Sequence, residues 1–100
     1  MKQFANKVIL NSKTGYSAQH DQILYDLVEA KVLLFCAVGK DCETWHDIMD
    51  EIYVGDGSER DFFMVTSWHR DETLEAVIEF ATDFDLDDCA GNENVQVIEI

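Results

Sequence analysis

Apolar residues along this chain fall alternately into short continuous runs and helical stripes. Lys7-Val8-Ile9-Leu10-Asn11 is a β-branched run that ends in the turn-rich segment Asn11-Ser12-Lys13-Thr14-Gly15. Ser17 then offers an N-cap. Behind it Ile23, Leu24, Leu27 and Val28 recur at helical spacing, with Gln22, Asp26 and Glu29 on the other side. Val32 to Val38 is apolar at every position, as in a strand buried on both faces of a parallel sheet. Gly39 breaks that run, and Asp41 is placed to cap a second helix with a Trp45/Ile48/Met49/Ile52 stripe.

The pattern repeats once more. Gly55-Asp56-Gly57-Ser58 is a turn, and Phe62 to Trp68 reads as a third strand. Asp71 is positioned to cap a third helix whose stripe is Leu74, Val77, Ile78 and Ala81. After an acidic loop, Val95 to Ile100 alternates partially, as an edge strand does, with Glu99 blunting the edge. This predicts a single α/β domain over residues 1–100, a sandwich of four mostly parallel strands alternating with three helices (βαβαβαβ). Strand order 2-1-3-4 and sequential order both fit, and in either one helices 2 and 3 are neighbours.

Composition supports one compact domain. The chain is 47% hydrophobic, more apolar than acidic disordered chains, and contains no proline. The seven residues of Val32–Val38 are its longest apolar run, too short for a membrane span, and no signal-type segment opens it. A cytoplasmic, monomeric protein is expected. Its three cysteines, Cys36, Cys42 and Cys89, lack C-x-x-C spacing and read as reduced thiols.

Charge changes the picture more. From residue 41 onward 18 Asp and Glu face two arginines, leaving −16. Before it five lysines face three acids, leaving +2, and the two parts together give the net −14. Such a field opposes direct contact with nucleic-acid phosphates and anionic lipid and favours a basic protein partner. At about 100° per residue, Glu43, Asp47, Asp50 and Glu51 share one side of helix 2, and Glu75, Glu79 and Asp83, led in by Glu72, share one side of helix 3. Neither side carries a Lys or Arg at i,i+4. Asp56, Glu59 and Asp61 in the connecting loop extend the surface, and Tyr53 or another unburied aromatic is the expected anchor. A purely solubilising role is the bland alternative, but ordinary surfaces mix both signs.

Reaction chemistry is thinner. The carboxyl ends of the strands would gather Ser12, Thr14, Gly39–Asp41 and Ser67-Trp68-His69 on one rim, the place for a small hydrolase or ligand site. No G-x-S-x-G elbow surrounds either serine, so catalysis is not expected. Cys42 lies on the apolar side of helix 2 and reads as inert. Among Cys36, Cys42, His46, His69 and Cys89 only Cys42 and His46 have close spacing, so no metal or other cofactor is expected. Asp83-Phe84-Asp85-Leu86-Asp87-Asp88 begins like a calcium loop but has Asp88 where glycine is needed and Asn94 where glutamate is. Gly55-Asp56-Gly57-Ser58 lacks the lysine of a phosphate loop.

The stretches Asp41-Cys42-Glu43-Thr44-Trp45-His46-Asp47-Ile48-Met49-Asp50, Gly55-Asp56-Gly57-Ser58 and Thr66-Ser67-Trp68-His69-Arg70-Asp71-Glu72 resemble a group of small bacterial domains that carry no catalytic assignment. In size, acidity and fold class the chain also resembles bacterial immunity proteins of the contact-dependent inhibition type. That resemblance implies an inhibitor that plugs the basic groove of a toxin nuclease domain through the helix 2–loop–helix 3 surface. A DNA-mimicking anti-defence protein and a small hydrolase working near Ser67 and His69 are the alternatives.

Overall fold

A computed structural model describes residues 4–55, 64–84 and 95–100. Its elements are β1 (Lys7–Ser12), α1 (Asp21–Glu29), β2 (Leu34–Gly39), α2 (Cys42–Val54), β3 (Val65–His69), α3 (Leu74–Asp83) and β4 (Val95–Glu99). All four strands are parallel, so the expected α/β sandwich is correct. Their order is β3-β2-β1-β4, which is neither of the two expected orders.

That order decides where the helices go. A crossover between parallel strands is right-handed in nearly every protein. The steps β1→β2 and β2→β3 run the same way and put α1 and α2 on one face. The step from β3 back to β4 runs the other way and puts α3 on the opposite face. Packing agrees. Val8, Leu10, Phe35 and Ala37 meet Leu24, Leu27 and Val28 of α1 and Trp45 and Met49 of α2. Ile9, Leu34, Cys36 and Val38 meet Val77 and Ala81 of α3. The alternation along β1 and β2 is the period-2 pleat, with both sides buried.

Local capping differs from expectation at all three helices. Ser17 stands at the N-cap of a single 3₁₀ turn, Ala18–His20, that leads into α1, and its side chain makes no capping hydrogen bond. Asp41 takes a left-handed backbone (φ 61°), and its carboxylate accepts a hydrogen bond from Tyr16 N at 3.0 Å instead of capping α2. Thr73 rather than Asp71 caps α3, its Oγ1 accepting from Ala76 N at 3.1 Å. Gly39 (φ 94°) is required where β2 passes β1, because a Cβ there would stand 2.3 Å from Ser12 O.

Lys7 is fully buried at the start of β1, between apolar neighbours. Its Nζ donates to Ala81 O at 2.8 Å, Thr82 O at 3.4 Å and Phe84 O at 2.6 Å, at the end of α3. Carbonyls at a helix C-terminus are short of intrahelical donors and carry the negative end of its dipole, and of these Ala81 O also accepts from Phe84 N at 3.2 Å. Lys7→Met should therefore cost about 2 kcal/mol, since charged hydrogen bonds are lost and buried acceptors stranded. Urea denaturation measures the loss, and amides in the last turn of α3 should be the first to lose hydrogen-exchange protection.

Candidate functional site

The acids of α2 and α3 face solvent as their spacing demands, but they do not form one patch. Glu43, Asp47 and Glu51 are exposed on α2, with Asp50 half-buried. Glu72, Glu75, Glu79 and Asp83 are exposed on and just before α3. The sheet lies between the bodies of the two helices, so among the described residues their acids come together only at the N-terminal ends and not along a continuous surface. Asp56, Glu59 and Asp61 lie outside the described residues.

The neighbour of α2 is α1. Asp21, Tyr25, Ile48, Glu51, Ile52 and Gly55 line a groove of about 320 Å³ between them. Tyr25 is 52% exposed there, whereas Tyr53, the expected anchor, is half-buried against the first-face core. Asp50 also has a structural part. Its Oδ1 accepts from Thr66 Oγ1 of β3 at 2.6 Å, and its Oδ2 lies 3.6 Å from His46 Nε2. His46 Nδ1 is 3.1 Å from Asp47. Among the described residues no lysine or arginine pairs with Glu43, Asp47 or Glu51. Asp21 and Tyr25 were not singled out from sequence. The signal was present, because Tyr25 sits three residues after Gln22 and four before Glu29, an aromatic on the polar side of helix 1.

A second cleft opens at the rim, where β2 and β3 end and their chains leave toward opposite faces. Crevices of this kind are where open α/β sheets bind ligands. It measures about 430 Å³ and is lined by Gly39, Asp41 to Thr44, and Arg70 to Glu72. Asp41, Glu43, Asp71 and Glu72 share this lining with Arg70, so the acids leading both helices converge here, at their N-terminal ends. Asp41 and Asp71 are both left-handed (φ 61° and 62°), and each follows a basic residue, Lys40 or Arg70. The two turns out of β2 and β3 are thus built alike.

The other rim residues divide into structural and reactive. Ser12 is buried, its Oγ accepting from Trp45 Nε1 at 3.0 Å and Gly15 N at 3.2 Å, so it holds the core. Ser67 Oγ stands 2.8 Å from His69 Nε2, and His69 Nδ1 stands 3.0 Å from Glu72 Oε2. Cys36 and Cys42 are buried free thiols. Burial pushes Cys36 up to about 11, while the Ser67 hydroxyl and Lys7 charge pull the other way. No group of three metal-ligating side chains occurs among the described residues, nor any helix long and apolar enough to cross a membrane.

Tyr16 packs edge-on against Trp45, ring centres 5.1 Å apart, and its hydroxyl donates to Asp21. That hydrogen bond, then desolvation and the Asp21 charge, push its pKa up from 10.0 to about 12. A folded value above the unfolded one adds stability that is complete below pH 10 and lost as pH rises toward about 12. Ultraviolet titration should therefore find a tyrosine ionising near 12. In Asp21→Asn that step should move toward the ordinary tyrosine range, and the alkaline loss of stability should shrink.

No curated protein and no solved structure matches this chain. One family model does, "Domain of unknown function (DUF7684)", over residues 2–100. The chain belongs to that family.

Proposed function

We propose that this domain binds a basic protein partner through the α1–α2 face, with Glu43, Asp47 and Glu51 supplying charge and Tyr25 the anchor. The observation that carries the reading is the acidic side of α2, which has no lysine or arginine partner among the described residues, beside a groove holding an exposed tyrosine. Like charges left facing one another cost a few tenths of a kcal/mol per pair, and a cationic partner relieves that repulsion. Asp21 and Glu51 at the groove suit a lysine or arginine whose aliphatic stem lies along Ile48 and Ile52. Hot spots favour tyrosine because it brings a large rigid surface with one polar tip.

The partner class follows from the same electrostatics. A nuclease groove is positive because it holds phosphates, and an acidic face can occupy it with steering and charge-assisted contacts. The proposed role is that of a stoichiometric inhibitor, the immunity protein of a nuclease toxin. The α3 acids face the other way and remain free for solvation while α2 is engaged.

Pull-down at low and high salt with mass spectrometry of the eluate identifies the partner. A nuclease supports inhibition, and a host nucleic-acid-binding complex supports DNA mimicry instead. Glu43→Lys, Asp47→Lys and Glu51→Lys combined should slow association at least ~10-fold at low salt with little change in melting temperature. Asp50 is left out of that set because it accepts the Thr66 hydroxyl. Tyr25→Ala should act mainly on dissociation. Binding that ignores both these changes and salt rules the reading out.

A further inference from the structure

We propose that Ser67 is a nucleophile activated by His69 and oriented through Glu72, able to take the acyl group of a small neutral or cationic carboxylic ester and pass it to water. Hydrogen-bond logic sets the direction of the chain. An ionised carboxylate only accepts, so His69 Nδ1 carries the proton it donates to Glu72 Oε2 at 3.0 Å. In the neutral ring Nε2 then holds a lone pair, and the Ser67 hydroxyl is the donor at 2.8 Å. Nucleophile, base and orienting carboxylate stand in the sequence that acyl transfer requires.

Position adds to geometry. Ser67 and His69 pair with Cys36 and Val38 and so point to the second face, where β3 forms the edge of the sheet. His69 is only 7% exposed, and the Phe80 ring lies edge-on to it with centres 4.8 Å apart, which holds the imidazole in place. Ser67 is half-buried. Cys36 beside it, raised to about 11, stays a thiol at neutral pH and does not compete as nucleophile.

The surroundings define the substrate class. Phe80 is 38% exposed and offers an apolar surface next to the base. Asp71, Glu72, Glu75 and Glu79 are exposed on the same turn and helix and disfavour anionic esters and phosphates. In the reaction Ser67 Oγ bonds to the ester carbonyl carbon as its proton passes to His69 Nε2. The bond to the leaving alkoxide breaks, and the alkoxide takes that proton. Water then attacks acyl-Ser67 while His69 accepts the water proton and returns it to Ser67 Oγ. No oxidant or second reactant is needed.

The experiment uses the full chain and p-nitrophenyl acetate, following p-nitrophenolate release and mapping acetyl groups by peptide mass spectrometry. Acetyl on Ser67 is expected, with release abolished above background in Ser67→Ala. Glu72 is solvent-exposed, so Glu72→Gln should melt as the wild type does while losing roughly 10–100-fold in rate. Glu72→Asp should recover part of that rate, which a merely structural role would not. Acetyl confined to lysines, wild-type release from Ser67→Ala, or full rate in Glu72→Gln would each overturn the assignment. The site lies on the face opposite α1 and α2, so this outcome and the partner-binding one are independent.

Discussion

The Lys7 ammonium holds the two sides of this domain together. A charge taken fully out of water costs several kcal/mol unless strong partners replace the lost hydration. Here they are the carbonyls of Ala81, Thr82 and Phe84, which end α3 and need donors as much as the ammonium needs acceptors. The bond ties β1, the strand paired with both β2 and β4, to the far end of α3 on the second face. With α3 on that face, the acids along the bodies of α2 and α3 lie on opposite sides of the sheet and come together only at the rim.

The two faces are covered unequally. The first carries α1 and α2 and the larger core, organised around Trp45, whose ring meets Tyr16 and His20 and whose Nε1 reaches Ser12. The second carries α3. Strands lie about 4.8 Å apart and a helix with its side chains is about 10 Å across, so one helix covers roughly two strands. Val77 and Ala81 pack onto Ile9, Leu34, Cys36 and Val38, all residues of β1 and β2. On β3, Val65 and Ser67 are consequently only half-buried, and polar side chains are tolerated. The Ser67–His69–Glu72 chain occupies that margin.

Electrostatics treats the faces differently as well. On α2 the carboxylates have His46 as their close basic neighbour, and Asp50 is partly committed to Thr66. At the rim Arg70 shares the cleft lining with Asp41, Glu43, Asp71 and Glu72. On the second face Glu72 serves the imidazole of His69. Carboxylates that looked alike as letters in a row therefore sit in separate settings: exposed on α2, tying a strand to a helix, and hydrogen-bonded to an imidazole.

Much of this was readable from residue order. The all-apolar run in β2, the stripes of α2 and α3 and the edge position of β4 follow from periodicity, because burial on one face or both imposes a period on the side chains. Which acids of α2 and α3 face water followed from the same rule, except Asp50, which is half-buried against Thr66. Strand order did not, since a crossover's length and hand permit several neighbours and the choice is made by packing between distant segments. Asp41 does stand at the N-cap of α2, but its left-handed backbone turns the carboxylate to Tyr16 N, and at α3 the cap falls to Thr73, two residues after the left-handed Asp71. The pairing of Ser67 with His69 two residues on, and with Glu72 beyond the turn, needed the strand's pleat and the chain's reversal to bring three polar groups within hydrogen-bond reach. Spacing along a chain settles which way a side chain faces, whereas what it faces is settled by folding, because those partners come from elsewhere in the sequence.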